Sequence, residues 1–345
     1  MSTLRQKADV LPLQVPPVKD ALIDRLLARL LGSLGYVYLP GDAFATAYRQ
    51  ARQVRKLLRG QNLDAVISLA ASKESLGVPS EVPLIQVTDS SFRAMLEGYF
   101  KGKKISFLTR IQGQILDRLV GKRSDHYCLA SNWSAEQLIK DIGLPVSAVT
   151  VAPFGPGIAP LGQLAPSEEK QEVKVLFIAS NWKRKGGARA LESFTLAQAT
   201  RPSLSLTVVG APQEIPTPGV AYLPRQSQEE LSALYLSHDV LLEPTEASAG
   251  GVVVTDALNH GLPVISTRVG GIPTLVRERE TGWLVSPDRA VEEIVSLLIG
   301  LTRDELERAS IAACQDARTR LSWDSWGQAV FEVCQQVVAK NKNLK

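Results

Sequence analysis

Two adjacent glycines, Gly250 and Gly251, stand where a polar loop enters an apolar-periodic helix that begins at Val252. The loop follows a buried strand pattern, and the helix leads through a Gly-Leu-Pro turn into a second buried strand pattern. In that order the first backbone N–H groups of the helix and its positive end face one spot, which favours a phosphate. Asp256 lies one turn and a little more beyond the glycines, within reach of a ribose or sugar hydroxyl at the same spot. The residue types therefore point to a nucleotide-sugar site around Gly250, Gly251, Val252 and Asp256.

A second cluster is cationic. Asn181-Trp-Lys-Arg-Lys-Gly-Gly follows the apolar run 173–179, which puts the Lys185 ammonium at the C-terminal edge of a strand, where ligands of open α/β sheets collect. Lys185, with Arg184 beside it, can neutralise a diphosphate without a metal, as fixed cations and helix N-termini do for a departing phosphate. No Asp-x-Asp follows a strand, so no metal is expected. His126, His238 and His260 are the only histidines and read as structural, which limits mechanisms built on an imidazole base.

The elements that must position these groups alternate. From residue 173 onward, strand-like runs at 173–179, 204–209, 240–242 and 263–266 alternate with helix-like segments at 188–199, 229–237, 252–260 and 291–299. This is the pattern of a parallel sheet covered on both faces. The same alternation occurs upstream, with strands at 64–69, 82–87 and 126–130, and Ser131 opening a capped helix. With 345 residues the chain is long enough for two α/β domains. The expected organisation is two doubly wound Rossmann-like domains: 1–155, a linker at 156–172, 173–320, and a C-terminal helix over 321–345.

Charge divides unevenly between the halves. Residues 1–158 hold 20 Lys and Arg against 13 Asp and Glu, while 159–345 hold 19 against 22, giving +7 and −3 within the total of +4. Lys101, Lys103, Lys104, Arg110, Arg118, Lys122 and Arg123 gather around the apolar positions Ile105, Phe107, Leu108, Ile111, Ile115, Leu116 and Leu119. That pattern suits either a basic amphipathic helix at an anionic membrane surface or a domain helix with a solvated basic face. No recognition motif accompanies the charge, so nucleic acid is not an expected partner. No run reaches the length of a membrane span and the start lacks a signal peptide's apolar core, so a cytoplasmic protein is expected. Cys128, Cys314 and Cys334 show no paired spacing and read as structural thiols.

Asp256-Ala-Leu-Asn-His-Gly-Leu-Pro-Val, followed by Thr267-Arg-Val-Gly-Gly-Ile-Pro, resembles the donor-site signature of retaining family-4 glycosyltransferases (glycosyl transferases group 1) of the GT-B fold. In that signature an acid, seven residues and a second acid precede Ala-x-x-x-Gly-x-Pro-Val. Here Ser248 stands at the first acid position and Glu246 two residues earlier, so either a two-residue insertion lets Glu246 substitute or the first acid is missing. The family pairs its lysine with an arginine five residues earlier, where this chain has Ser180; either Lys183 or Arg184 would compensate, the other reading of both being a solvated basic turn. Further similarity lies in Ser131-Asn-Trp, Val151-Ala-Pro-Phe-Gly and Ser322-Trp-Asp, the last as the start of a helix crossing back to the first domain. Asp89 in Val87-Thr-Asp-Ser-Ser-Phe stands where many relatives have a cleft histidine, and its other reading is an N-cap of the following helix.

The resemblance implies a retaining, metal-independent transfer of a sugar from a nucleoside diphosphate donor to a saccharide, lipid or other acceptor on the basic N-terminal domain, with no cofactor. Asp89, Lys185 and Glu246 would be the catalytic groups. Arg184, Lys185, Ser248, Gly250, Gly251, Val252 and Asp256 would hold the donor. The first strand of the family's N-terminal sheet and its glycine loop have no counterpart, the chain opening near an expected second strand at 9–15. That departure favours a rival reading, a non-catalytic relative kept as a binding or scaffold subunit. A dehydrogenase is the weakest reading, because no Gly-x-Gly-x-x-Gly follows a strand.

Overall fold

The computed structural model describes residues 2–160 and 172–343; most of the linker expected at 156–172 lies outside the described residues. The chain divides into two compact units, Met1–Ala152 with Gly327–Lys345, and Pro153–Trp326.

The first unit opens with helices α1 (Ser2–Lys7), α2 (Leu22–Ser33) and α3 (Phe44–Leu57). Strands β1 (Val66–Leu69) and β2 (Leu84–Thr88), helices α4 (Phe92–Tyr99) and α5 (Phe107–Arg123), strand β3 (His126–Leu129), helix α6 (Asn132–Ile142) and strand β4 (Val149–Val151) follow. The four strands are parallel and lie in chain order, β1-β2-β3-β4. β2 and β3 are central and almost wholly buried, with Leu84, Ile85, Cys128 and Leu129 at 0% exposure, which is why they read as continuous apolar runs. Ser131 caps α6 by accepting from the Ser134 N–H at 3.1 Å, and Gly143, at φ 80°, ends it in the left-handed conformation.

One expectation fails here. Residues 9–15 form no strand: Pro12, Pro16 and Pro17 remove ladder donors, most of the stretch is exposed, and only Val15 reaches the core, against Val54, Leu58, Val78 and Leu84. Among the described residues no strand precedes β1.

The second unit runs β5 (Val173–Ile178), α7 (Gly187–Thr200), β6 (Leu204–Val209), β7 (Val220–Leu223), α8 (Gln228–Ser237), β8 (Val240–Glu243), α9 (Val252–Asn259), β9 (Val264–Thr267), α10 (Ile272–Leu275), β10 (Gly282–Val285), α11 (Ala290–Gly300) and α12 (Arg303–Arg320), and the start of α13 (Trp323–Lys342). Its six parallel strands take the order β10-β9-β8-β5-β6-β7. One face is covered by α7 and α11 through Phe194, Ala197, Ile294 and Leu298, the other by α8, α9 and α12 through Tyr235, Val254, Leu258 and Ala313. β5 therefore leads to a helix on one face and its neighbour β8 to a helix on the other, so the two connections part at the C-terminal edge of the sheet. This is the switch point at which doubly wound sheets bind ligands.

Candidate functional site

The loops after β5 and β8 meet at that switch point. The Arg184 carbonyl accepts from the Glu246 N–H at 2.8 Å and from Thr245 Oγ1 at 3.0 Å, and Arg184 Nη1 donates to the Ala247 carbonyl at 2.7 Å. Gly186, at φ 74°, lets the two chains touch: a Cβ there would lie 2.0 Å from the Pro244 carbonyl oxygen. Only glycine combines that conformation with that closeness.

Lys185 is buried at this seam, its ammonium ion-paired with Glu243, the last residue of β8. Glu243 Oε2 has no hydrogen-bond partner among the described residues. The sequence reading passed over Glu243. The available signal was its position, a carboxylate closing an apolar strand and directly preceding Pro244, at the height of the sheet reached by a lysine seven residues past the end of β5.

Gly251 is the N-cap of α9 at φ 59°, with no side-chain cap hydrogen bond among the described residues. A Cβ on Gly251 would press to 2.4 Å from Leu275 Cδ1, so the glycine also lets α9 start close to α10. Ser248 is buried and its carbonyl accepts from the Gly271 N–H at 2.9 Å, while Gly270, at φ 53°, fits against that carbonyl. Glu246 points elsewhere, its carboxylate 3.9 Å from Arg189 with both side chains about one-third exposed. The structure thus brings Arg184, Lys185, Glu246, Ser248, Gly250, Gly251, Val252 and Asp256 to neighbouring stretches of one unit, with Ser248 inside the loop and Glu246 on its rim.

Asp256 is buried and its Oδ1 accepts from the N–H groups of Gly157 and Ile158 at 2.6 and 3.0 Å. Burial raises its carboxyl to about 6, against the lowering effect of those two hydrogen bonds. The backbone following Val151-Ala-Pro-Phe-Gly is thereby tied to the α9 acid. Phe154 also stacks on Trp323 with ring centroids 6.3 Å apart, and Trp323 Nε1 donates to the Pro156 carbonyl at 2.7 Å. Two motifs more than 160 residues apart in sequence so form one contact.

Asp89 belongs to the first unit, just past β2. Burial raises its carboxyl above the usual range, and its carbonyl accepts from Ser134 Oγ. It does not cap α4: Ser91 does, accepting from the Ala94 N–H at 3.0 Å, because Ser91 is the residue immediately outside the helix. The three histidines each bond within the scaffold: His126 to Thr150, His238 to Leu234 and Thr207, and His260 to Asp256 and Ser232. All three are held below the ordinary histidine range by burial. The three cysteines are free thiols.

Residues 164–315 match the sequence profile of the family described as glycosyl transferases group 1. A sulfoquinovosyl transferase of Arabidopsis thaliana is 37% identical over 99 residues, 28% of this chain and 19% of that protein. A D-inositol 3-phosphate glycosyltransferase of Mycobacteroides abscessus is 33% identical over 121 residues, 33% of this chain and 27% of that protein. The matched stretch spans only about a fifth to a quarter of the length of these curated relatives.

Among solved structures, a sucrose-phosphate synthase from Thermosynechococcus elongatus superimposes with a TM-score of 0.67 at 16% identity, covering 88% of this chain and 81% of that one. WaaG, a glycosyltransferase involved in lipopolysaccharide biosynthesis, gives 0.61 at 18% identity over 97% and 93%. The fold is α/β with two parallel sheets, as in GT-B glycosyltransferases.

Proposed function

We propose that this chain is a glycosyltransferase that moves a sugar from a nucleoside diphosphate donor, held by the second unit, to a saccharide or lipid-linked acceptor. The observation that carries the reading is that Lys185, in the loop after β5, and the N-terminus of α9, reached by the loop after β8, both lie at the sheet edge where those neighbouring strands part. A lysine and a set of helix N–H groups complement a diphosphate, and both stabilise the negative charge that grows on it as the glycosidic bond breaks. Asp256 holds the ribose, Glu246 or Ser248 contacts the donor sugar, and Asp89 serves the acceptor side.

Retention of anomeric configuration and family-4 membership follow the sequence signature. Donor binding needs neither metal nor cofactor in this reading, because Lys185 and the N–H groups supply the positive potential. The names of the matched relatives, all transferases, favour the enzyme over a scaffold subunit.

For the acceptor side, support comes from the first unit. α5 exposes Phe107, Leu108, Ile111, Ile115 and Leu119, and α2 exposes Leu22, Ile23, Leu26 and Leu30. The only acids of these helices turn inward: Asp24 accepts from Tyr38 and Thr46, and Asp117 accepts from the Phe92 N–H. Exposed apolar positions on helices that also carry several cations suit a cytoplasmic protein working peripherally at an anionic membrane surface, where a lipid-linked acceptor resides. No helix among the described residues is long and apolar enough to cross a membrane.

Isothermal titration with a panel of nucleoside diphosphates in EDTA tests the donor site. Binding is expected without metal, and Lys185→Ala should weaken the diphosphate far more than the matching nucleoside, by about 1.5–3 kcal/mol. Binding that appears only with a divalent metal would remove the assignment.

A further inference from the structure

The side chains of Lys185 and Glu243 are 6% and 0% exposed. Oε1 takes the ammonium, and Oε2 has no partner among the described residues. Burying a charge pair is favourable only when the remaining lone pairs are satisfied as well, so stability alone does not account for this arrangement. Both residues are held firmly by their backbones. Glu243 ends a central strand and its carbonyl accepts from Ser266 Oγ at 2.7 Å, while Lys185 is followed by Gly186, which rests on the Pro244 carbonyl. The ammonium therefore sits where the carboxylate holds it.

We propose that Glu243 is a positioning residue for Lys185, a built-in counter-charge that the diphosphate of an arriving donor displaces. The proposal rests on the reading of Lys185 as a diphosphate ligand. In the free protein Glu243 keeps a buried ammonium neutralised and fixes its place at the sheet edge. On binding, the phosphate oxygens take over the ammonium in competition with Glu243 Oε1. The carboxylate consequently lowers affinity for any diphosphate while leaving the base and ribose contacts alone.

The test is titration of uridine, guanosine and adenosine diphosphates and their nucleosides against the full chain, its Lys185→Met, Glu243→Gln and doubly substituted forms, with thermal unfolding of each. Glu243→Gln should unfold at a lower temperature without ligand, bind diphosphate at least tenfold tighter relative to nucleoside, and gain more thermal protection from diphosphate than the parent. The double substitution should recover stability and lose the preference for diphosphate. Should Glu243→Gln fail to fold, Glu243→Asp, with its shorter reach, should raise the same ratio. An unchanged or lowered ratio in the variant that folds overturns the role of Glu243. If Lys185→Met leaves the ratio as in the parent, the diphosphate reading of Lys185 itself fails, whatever Glu243 does.

Discussion

Asp256 accepts a 2.6 Å hydrogen bond from the Gly157 N–H, so the acid on the α9 helix also fastens the segment that opens the second unit. The carboxyl is raised from an ordinary 3.8 to about 6 by burial. A carboxyl raised in the folded state binds its proton more tightly there than in the unfolded chain. The cost of ionising it is absent below about 3.8, grows as pH rises, and is complete above about 6, where it reaches the order of 3 kcal/mol. Asp256→Asn keeps an oxygen for Gly157 and Ile158 but cannot ionise. Urea unfolding should find the variant more stable than the parent by about 1–3 kcal/mol at pH 8, with the gap closing by pH 4. Asp117, raised to about 6 by burial, contributes in the same direction to both proteins and cancels in the difference.

The same titration has a consequence for binding. An ionised carboxylate accepts hydroxyl bonds better than a protonated one, so nucleoside affinity through Asp256 should rise as pH passes upward through about 6. Calorimetry at pH 5 and 8 on the parent and Asp256→Asn checks this. A pH dependence that survives the substitution would place the ribose elsewhere.

Gly186→Ala should be among the most damaging single changes in the second unit. The new Cβ would stand 2.0 Å from the Pro244 carbonyl oxygen and the residue would keep φ 74°. Left-handed strain and overpacking together should cost about 2–4 kcal/mol. Gly210→Ala is the control, since φ is 75° there but the nearest atom is Arg225 Cγ at 3.7 Å, so strain alone should cost about 1–2 kcal/mol. Equal losses by chemical denaturation would show that the β5 and β8 loops can part without penalty.

Periodicity made most of this fold legible. β5, β6, β8, β9 and their helices lie within a residue or two of where apolar runs and caps place them, because strands buried on both faces read as unbroken apolar stretches. β4, β7 and β10 escaped: each is three or four residues at a sheet edge, and β4 and β7 have no fully buried position to mark them. At the site, glycine and lysine spacing was enough to bring Lys185, Gly250 and Gly251 to one sheet edge. The Lys185–Glu243 pair was not legible, because it joins residues 58 apart whose proximity depends on β5 lying beside β8. Similarly, only the structure separates Glu246 on the rim from Ser248 within the loop.

That separation predicts distinct phenotypes. Glu246 is partly exposed and only loosely paired, with Arg189 3.9 Å away, so its carboxylate can turn to accept two sugar hydroxyls. Glu246→Gln should weaken a nucleotide sugar relative to the plain diphosphate by about tenfold, the value of one charge-assisted hydrogen bond. Ser248→Ala should change both ligands alike, since the buried serine is held through its carbonyl. If Ser248→Ala separates the ligands and Glu246→Gln is silent, the sugar contact belongs to Ser248.

The cationic apolar faces of α2 and α5 give a prediction about the first unit alone. Phe107 is 74% exposed and leads a stripe of Leu108, Ile111, Ile115 and Leu119, with Leu26 and Leu30 exposed on α2. Exposed apolar stripes of this extent mark an interaction surface more often than a bare one. Near an anionic bilayer each lysine contributes about 1 kcal/mol, so replacing Lys101, Lys104 and Lys122 by Gln should cut the affinity for phosphatidylglycerol vesicles roughly a hundredfold. Phe107→Ser should weaken binding with little change in its salt dependence, whereas the lysine changes should flatten that dependence. Vesicle co-sedimentation at low and high salt reads both effects. Binding to zwitterionic and anionic vesicles alike would remove the electrostatic part of the proposal. Absence of vesicle binding, with a concentration-dependent dimer in sedimentation velocity, would instead assign the two stripes to contact between copies of the chain.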